Sequence, residues 1–423
     1  MVGDGSGDML DQVDWPGNLD MLWEDPDDES WYRELASFTR LILHDRRGIG
    51  LSSRNVALPN LETRVADTLT VLDAIGSERP VLSGTFEAGA PNALLAATRP
   101  DRVRAMVWIE PIPRFGWAPD YPWGHTEAER QAELKDIEGW GTMAYGQAFA
   151  AEWTSERRDP AATARSMAKA SRNACTPDVA RSLSEIWYET DVRDVLPSVK
   201  VPTLIVAGSD RPRDQERSAY VASLIPGAET ALFPGSVLSD ENTRAIADTI
   251  RRFIGVERSA TELDTVLSTV LFTDIVGSTD RQAQIGDHAW KELVQRHHAV
   301  VRAALQRWRG VENDTAGDGF YATFDGPARA IRCGLEITER VRALGIEVRA
   351  GVHTGECEVI DGKHAGITVS IGARVASLAE PSEVVVTQTV KDLVAGSGFT
   401  FEDAGEHELK GVPDRWRLYR VAG

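Results

Sequence analysis

Two different alternations of hydrophobic and polar residues divide the chain near residue 256. Before that point, short apolar runs at 41–43, 81–82 and 203–207 alternate with helical stretches, and each run is followed by a glycine- or aspartate-rich turn. This order favours a βα alternation around a parallel sheet, hence an α/β domain. From Trp117 to about Val199 the periodicity is helical with no clear strand, which predicts an inserted helical cap.

The second pattern begins after a polar stretch at 257–264. It runs through an apolar strand at 266–272, helices, a hairpin around 317–319 and a long helix, and it ends with these elements: a strand at 347–352, a helix at 368–379, a strand at 384–387 and further short strands. Such an order predicts an α+β sandwich with helices packed on a mostly antiparallel sheet. We therefore place a first domain at 1–255, a linker at 256–265 and a second domain at 266–423.

Composition and charge narrow the class of protein. Cys175, Cys333 and Cys357 lie far apart, with no pair spaced for zinc and no even set for a disulfide framework, which fits a reducing cytoplasm. The acidic first residues lack the pattern of a secretory signal, and no apolar run approaches the roughly 20 residues that span a bilayer. A formal net charge of -19 repels phosphate backbones. We therefore expect a cytoplasmic protein that neither spans a membrane nor binds nucleic acid.

Three segments of the first domain resemble α/β-hydrolases. They read HDRRGIGLS at 44–52, VLSGTFEAGAPNALLAATRPDRV at 81–103 and VPTLIVAGSDRP at 201–212. In that fold a strand enters a sharp GxSxG turn that lifts a serine above the sheet, and later loops supply an acid and a histidine. The family's leading strands would precede residues 9–13, so we expect this chain to begin late relative to that fold.

The residues that carry hydrolase chemistry are replaced at two of three positions. Gly84 fills the first glycine of the turn, but Phe86 fills the nucleophile position and Ala88 the second glycine. Ser236 stands where the family has its histidine, while Asp210 matches the acid, and an acid alone activates no nucleophile. The sequence predicts a degenerate, non-catalytic hydrolase domain that acts as a sensor or scaffold, and a small-molecule ligand for it stays open.

Two other hydroxyls flank the turn. Ser83 belongs to the strand and Thr85 precedes the apex. Neither occupies the nucleophile position, so we do not expect either to act as a nucleophile.

Two motifs of the second domain place aspartates at the ends of paired strands. LFTDIVGST at 271–279 puts Asp274 at the end of a strand, and TAGDGFYATF at 315–324 puts Asp318 in a tight hairpin turn. With the downstream segments RAGVHTGE, VSIGARVASLAEP and GEHELKGV, they resemble the class III adenylyl and guanylyl cyclases over nearly the whole domain. The resemblance implies a ferredoxin-like α+β fold that converts a nucleoside triphosphate, by preference ATP, into a cyclic nucleotide.

Cyclisation requires the ribose 3′-oxygen to attack the α-phosphorus while pyrophosphate leaves. Two Mg²⁺ or Mn²⁺ ions assist such a reaction, and carboxylate oxygens suit these hard cations. The resemblance implies that Asp274, Asp318 and Ile275 are the metal ligands. Gly277 and Ser278 directly precede a predicted helix, where backbone N–H groups and the helix dipole favour phosphate oxygens.

The resemblance assigns three further residues to the substrate. Ser370 and Arg374 are spaced i,i+4 on one helix face, and they match the transition-state pair, which is normally Asn and Arg. Serine is shorter than asparagine, so a lower turnover is expected. Lys410 in ELKG matches the lysine that binds the triphosphate. The resemblance also implies a homodimer in which the helix with Arg374 reaches the metal site of the partner.

The residues that would read the base depart most from the family pattern. Asp314 and Lys363 stand where adenylyl cyclases commonly place Lys and Asp, so the two charges are exchanged. The pair still offers an acceptor and a donor to adenine, although Asp314 could also accept two hydrogen bonds from guanine. We predict an adenylate cyclase. The alternatives are a guanylate cyclase, a pseudo-cyclase that binds nucleotide as a regulatory module, and an ester hydrolase with a dimerisation domain.

Overall fold

The chain folds into two compact units in a computed structural model. The units are Met1–Thr261 and Glu262–Gly423, and the structure describes residues 1–5, 7–153, 159–237, 240–255, 265–360 and 363–422. The predicted linker lies outside the described residues except for Thr265.

The N-terminal unit is built on a parallel sheet with the strand order β2-β1-β3-β4-β5-β6 among its described residues. Its central strands are buried along their whole length, as expected when helices cover both faces of a sheet. Its strands are β1 (Asp8–Gln12), β2 (Arg40–Ile42), β3 (Val81–Thr85), β4 (Ala105–Ile109), β5 (Thr203–Gly208) and β6 (Glu229–Phe233).

Helices connect the strands and form the predicted cap between β4 and β5. Helix α3 begins after Asn60, whose side chain accepts the Thr63 N–H, and α5 begins with a capping box between Thr126 and Glu129. The helices of this unit are α1 (Leu19–Leu22), α2 (Pro26–Ala36), α3 (Leu61–Ala74), α4 (Gly89–Thr98), the cap helices α5 (Glu127–Asp136), α6 (Met143–Trp153), α7 (Pro160–Ala174) and α8 (Pro177–Glu189), then α9 (Pro212–Leu224) and α10 (Asp240–Gly255). The predicted α/β architecture with a helical cap is confirmed.

The C-terminal unit is a mostly antiparallel sheet, with only β10 and β12 paired in parallel among the described strands. The strand order is β13-β14-β12-β10-β7-β9-β8, and β11 pairs with β10. Its strands are β7 (Thr265–Ile275), β8 (Val311–Ala316), β9 (Gly319–Phe324), β10 (Val348–Ile360), β11 (Lys363–Ala365), β12 (Val384–Thr387), β13 (Thr400–Glu408) and β14 (Arg415–Ala422).

Helices cover both faces of this second sheet. Leu271 and Val384 pack with α12 and α13 in one core, and Val385 packs with Ile371 and Val375 of α14 in another. Successive side chains of a strand point to opposite faces, which explains why neighbouring residues serve different cores. The helices are α11 (Ser278–Ile285), α12 (Asp287–Trp308), α13 (Pro327–Arg340), α14 (Ile367–Leu378) and α15 (Gln388–Leu393). The predicted α+β fold is confirmed.

None of the helices in the described part of the chain has the length and apolar character that a membrane crossing requires.

Candidate active site

The two predicted metal ligands lie at one end of adjacent strands. Thr273 of β7 pairs with Phe320 of β9, so Asp274 at the end of β7 lies beside the start of β9. Asp318 immediately precedes β9, in a hairpin turn where Gly317 has φ +67°. The pairing of the strands therefore brings the two carboxylates to the same edge region of the sheet.

The chemistry of this pair fits a divalent cation. The Oδ2 atom of Asp318 is buried and has no hydrogen-bond partner in the part of the chain that the structure describes, and a buried carboxylate oxygen requires a donor or a cation. The Asp274 side chain is 42% exposed. The side chain of Ile275 is aliphatic and buried in the core, so only the backbone carbonyl of this residue could bind a metal. No group of three or more His, Cys, Asp or Glu among the described residues is arranged to hold a metal, so substrate or backbone oxygens would complete the coordination.

A basic residue that sequence reasoning did not single out lies against the first aspartate. Arg349 of β10 is opposite Asp274 in the antiparallel register and donates from Nη2 to its Oδ2 at 2.8 Å. Its Nη1 atom donates to the carbonyl of Ser377 in α14. The RAGVHTGE segment contains this arginine, but only the strand register shows which acid it faces.

Two adjacent histidines of α12 support the hairpin. His298 lies 3.0 Å from the Gly317 carbonyl through Nε2, and its ring packs edge-on against Phe320. His297 is fully buried, and burial together with the charge of His298 lowers the pKa of His297 to about 4. A neutral His297 thus lies behind the site, and α12 holds the turn that carries Asp318.

The predicted phosphate-binding backbone lies at the start of a helix. Gly277 has φ +64° and is the residue before α11, whose first residue is Ser278. The first N–H groups of a helix have no partner within the helix and attract anions. Gly277 and Ser278 therefore lie within four residues of Asp274 with backbone suited to phosphate oxygens.

Helix α14 presents the predicted transition-state residues to the outside of the unit. Ser370 and Arg374 are exposed, and they share a stripe with two exposed apolar side chains, Ile367 at 53% and Leu378 at 41% exposure. These four residues recur every three or four positions, so they lie on one helix face. An exposed apolar stripe around polar site residues is typical of a contact surface.

Two glycines set how closely α14 lies on the sheet. A Cβ atom at Gly372 would come within 2.5 Å of the Val270 side chain, and one at Gly351 of β10 would come within 2.2 Å of the Ala376 backbone nitrogen. Phe272 on this face of β7 stacks on Tyr321 of β9 at 4.7 Å. Asp274 follows Phe272 by two residues and so points to the same face of the sheet as α14.

The two predicted phosphate-binding cations are neighbours within one chain. Arg374 donates from Nε to the Lys410 carbonyl at 3.2 Å, and Lys410 is exposed in the turn between β13 and β14. The structure therefore brings Arg374 and Lys410 together.

The predicted base-reading residues come from two strands that one tyrosine connects. Asp314 is exposed on β8 and is paired with Tyr321 of β9, whose hydroxyl donates to the His364 carbonyl of β11 at 3.1 Å. Lys363 is the neighbour of His364, and its backbone pairs with Ile360. The backbones that carry Asp314 and Lys363 are thus tied together through Tyr321.

The three degenerate hydrolase positions line one cavity of the N-terminal unit. Phe86, Asp210 and Ser236 all border a cavity of about 800 Å³. Phe86 has φ +52°, a conformation that a bulky residue rarely adopts. Gly84 has no room for a side chain, because a Cβ there would approach the Ala88 backbone within 2.8 Å. The sharp turn of a hydrolase is therefore retained, with a phenyl ring in the place of the nucleophile.

Comparison with known proteins agrees with both folds. Residues 260–423 match the family model of the adenylate and guanylate cyclase catalytic domain. An uncharacterized protein of Mycobacterium tuberculosis is 32% identical over 130 residues, 30% of this chain and 42% of that protein. A receptor-type adenylate cyclase of Trypanosoma brucei brucei is 26% identical over 204 residues, 36% of this chain and 16% of that protein. This chain thus spans less than half the length of either relative.

The N-terminal unit has its own structural counterpart. The crystal structure of a bromoperoxidase from Bacillus anthracis has a TM-score of 0.52 at 20% identity, covering 60% of this chain and 94% of that one. This likeness concerns the fold alone. The chain accordingly combines an α/β-hydrolase fold with a class III cyclase domain, and residues 260–423 belong to the adenylate and guanylate cyclase catalytic domain family.

Proposed function

We propose that the C-terminal unit is an adenylate cyclase that converts ATP into cyclic AMP and pyrophosphate. The observation that carries this proposal is the position of Asp274 near the end of β7 and of Asp318 in the turn before the adjacent strand β9, with an Asp318 oxygen that is buried and has no partner among the described residues. Carboxylates in this arrangement are suited to divalent cations and a triphosphate.

In this reaction the ribose 3′-oxygen forms a bond to the α-phosphorus, the bond from the α-phosphorus to the β-phosphate oxygen breaks, and the 3′-hydroxyl proton is released. Asp274, Asp318 and the Ile275 carbonyl would hold two Mg²⁺ or Mn²⁺ ions, which supply positive charge to acidify the hydroxyl and to stabilise the leaving pyrophosphate. The N–H groups at Gly277 and Ser278 bind phosphate oxygens at the start of α11.

The remaining positive charge comes from α14 and the β13–β14 turn of a second copy of the chain. Arg374 stabilises charge on the transferring phosphate, Lys410 binds the triphosphate, and Ser370 orients the ribose. Their exposure beside Ile367 and Leu378 supports a homodimer in which α14 faces the partner's metal site. The shorter reach of Ser370 lowers the turnover relative to an enzyme with asparagine.

Cyclic-nucleotide formation by purified protein tests the proposal. The protein is incubated with Mn²⁺ and either ATP or GTP, and both cyclic products are quantified. We expect cyclic AMP to exceed cyclic GMP, and we expect Asp318→Asn to abolish both. Asp403→Asn is a matched control, because Asp403 lies on β13 at the opposite edge of the sheet. Cyclic GMP as the main product would make the protein a guanylate cyclase, and nucleotide binding without product would make it a regulatory module.

Asp314 and Lys363 would together read the base. Asp314→Ala should lower kcat/KM for ATP by about 1–3 kcal/mol, the cost of leaving a polar partner unsatisfied. Each single exchange, Asp314→Lys or Lys363→Asp, creates a like-charge pair, while the double exchange restores opposite charges and should retain or improve ATP use. If the single exchanges are harmless or simply additive, the base is read elsewhere.

The N-terminal domain, which we place at residues 1–255, then acts without hydrolysis as a sensor or scaffold. This role is supported by Phe86 at the apex of the turn and Ser236 in the histidine's place. The phenyl ring cannot act as the nucleophile, and the serine cannot act as its general base. An assay for hydrolysis of activated esters by the native chain should give no rate above that of the Ser83→Ala/Thr85→Ala variant.

A further inference from the structure

The cavity of the N-terminal unit has the size and position of a small-molecule site. Its volume of about 800 Å³ falls within the range that ligand pockets occupy. It is bordered by residues at the carboxyl ends of the strands, including Asp14, Phe86 and Asp210, and by cap residues such as Phe115 and Trp187. Ligands of open α/β sheets bind at this end of the strands.

Aromatic rings and carboxylates dominate the walls of this cavity. Nine Asp or Glu side chains line it, against three arginines. Two of the arginines are already neutralised by acids, because Arg213 donates to Glu129 at 2.8 Å and Arg217 donates to Asp214 at 2.9 Å. The unbalanced charge facing a ligand is therefore negative, so an anionic ligand would be repelled.

Asp14 is one of the lining carboxylates that have no side-chain partner among the described residues, and it lies beside the aromatic rings of the cavity. Asp14 follows β1 and has neither a hydrogen bond nor an ion pair through its side chain to any described residue, whereas Glu87 nearby is paired with Arg46 at 3.3 Å. Burial raises the pKa of Asp14 well above its usual value, and the charges of Glu87 and Asp28 raise it further. A positive group beside Asp14 would relieve this repulsion.

The ring next to Asp14 belongs to an aromatic cluster that already contacts a cation. Trp15 stacks on Trp140 at 4.8 Å and meets Trp187 edge-on at 5.0 Å. The Arg46 guanidinium lies 5.9 Å from the Trp15 ring centre and 5.8 Å from that of Trp187. The electron-rich faces of such rings attract cations, and most strongly where water is excluded.

We propose that this cavity binds an organic cation, an amine or quaternary ammonium group on an aromatic or alkyl body, with its charge beside Asp14 and Trp15. The apolar body packs against rings such as Phe86 and Phe115. The site takes the place of the hydrolase centre, since Phe86 replaces the reactive side chain and adds apolar surface. This proposal is independent of the cyclase reaction, because it concerns binding within the N-terminal unit.

Three probes of matched shape test the charge preference on the full-length chain. They are dibenzyldimethylammonium, its neutral analogue 2,2-dimethyl-1,3-diphenylpropane and the anion dibenzylphosphinate. Quenching of tryptophan fluorescence reports binding, because Trp15 and Trp187 line the cavity. We expect the cation to bind about ten-fold more tightly than the neutral analogue and the anion to bind most weakly.

Two substitutions locate the charge. Asp14→Asn should weaken binding of the cation about ten-fold and leave binding of the neutral analogue unchanged. Asp101→Asn, at an exposed acid outside the cavity lining, should change neither. Thermal unfolding without ligand checks the fold, and Asp14→Asn should be at least as stable as the native chain because it removes a half-buried acid that faces other acids. Equal affinity for cation and neutral analogue, tighter binding of the anion, no binding of the cation at millimolar concentration, or an unaffected folded Asp14→Asn variant would each overturn the proposal.

Discussion

At the scale of single residues, the edge of the sheet that we propose to bind metal contains both an unsatisfied acid and a satisfied one. Asp318 has a buried oxygen without a partner, whereas Oδ2 of Asp274 accepts from Arg349 at 2.8 Å. A cation that binds to Asp274 must share its carboxylate with the guanidinium. Arg349 also donates to the Ser377 carbonyl of α14, so it connects the proposed metal ligand to the helix that carries Ser370 and Arg374.

This arrangement predicts that Arg349→Met strengthens Mn²⁺ binding. Removal of one positive charge beside Asp274 should raise the affinity about two- to five-fold, a range appropriate to a partly exposed ion pair. The electron paramagnetic resonance signal of free Mn²⁺ measures the affinity without any need for activity. Arg417→Met, which removes the partner of Asp403, serves as the control. Weaker Mn²⁺ binding by Arg349→Met would mean that the arginine orients Asp274 and does not compete with the metal.

At the scale of elements, the sequence predicts which segments form a site better than how closely they approach. The helix predicted at 368–379 is observed as Ile367–Leu378, because its apolar periodicity is local. The contact of Gly351 with Ala376 joins residues from two elements, so no local pattern reveals it. The turn motif likewise identified Phe86, but its φ of +52° was not predictable from its residue type.

The retained hydrolase turn predicts that its chemistry returns only when two residues are restored. Phe86→Ser alone should give no ester hydrolysis, because a serine without a base stays protonated. The double variant Phe86→Ser/Ser236→His should react with a fluorophosphonate probe, since both positions and Asp210 border the same cavity. Labelling is measured by mass spectrometry of the modified residue. Labelling of the native chain would contradict the prediction that its N-terminal domain has no hydrolase activity.

The exposed face of α14 predicts complementation between two inactive chains. Asp318→Ala and Arg374→Ala should each be inactive as homodimers, but a hybrid has one composite site with all native residues. Mixing the two proteins should therefore restore cyclic-nucleotide formation. Subunit exchange is verified by fluorescence energy transfer between labelled chains. If exchange occurs and the mixture stays inactive, each site is built within one chain.

At the scale of the whole molecule, the change in hydrophobic pattern distinguishes the two folds, but it does not predict which residues of distant strands pair. A strand is predicted at 347–352, whereas β10 continues to Ile360. The added part includes Thr354 and Gly355, which are polar or small residues and locally favour a loop. They form a strand because they pair in register with Thr269 and Ser268 of β7, about 85 residues earlier. Such pairing depends on the tertiary structure and not on the local sequence.

The two units also differ in the buried groups that respond to pH. Burial raises the pKa of Asp11 to about 6 and that of Glu110 to about 7 in the N-terminal unit. In the C-terminal unit, burial lowers the pKa of His353 to about 3. An acid whose pKa is raised by folding binds its proton more tightly in the folded state. Its contribution to stability is therefore lost as pH rises through the folded pKa. A histidine whose pKa is lowered by folding contributes stability above its unfolded pKa, and this contribution is lost as pH falls below that value.

We therefore expect mild acid to shift the unfolding transitions of the two units in opposite directions. Between about pH 8 and about pH 5, protonation of Glu110 should stabilise the N-terminal unit, and the cost of keeping His353 neutral should destabilise the C-terminal unit, by about 2 kcal/mol each. Scanning calorimetry at both pH values measures the two shifts. Glu110→Gln should reduce the pH dependence of one transition and His353→Gln that of the other, while His288→Gln, at a histidine whose side chain is 91% exposed, should leave both unchanged. Asp11 and His297 keep part of the pH dependence in their own units. Transitions that move in the same direction, or one transition whose pH dependence is reduced by both substitutions, would show that these buried groups do not control the pH response of the separate units.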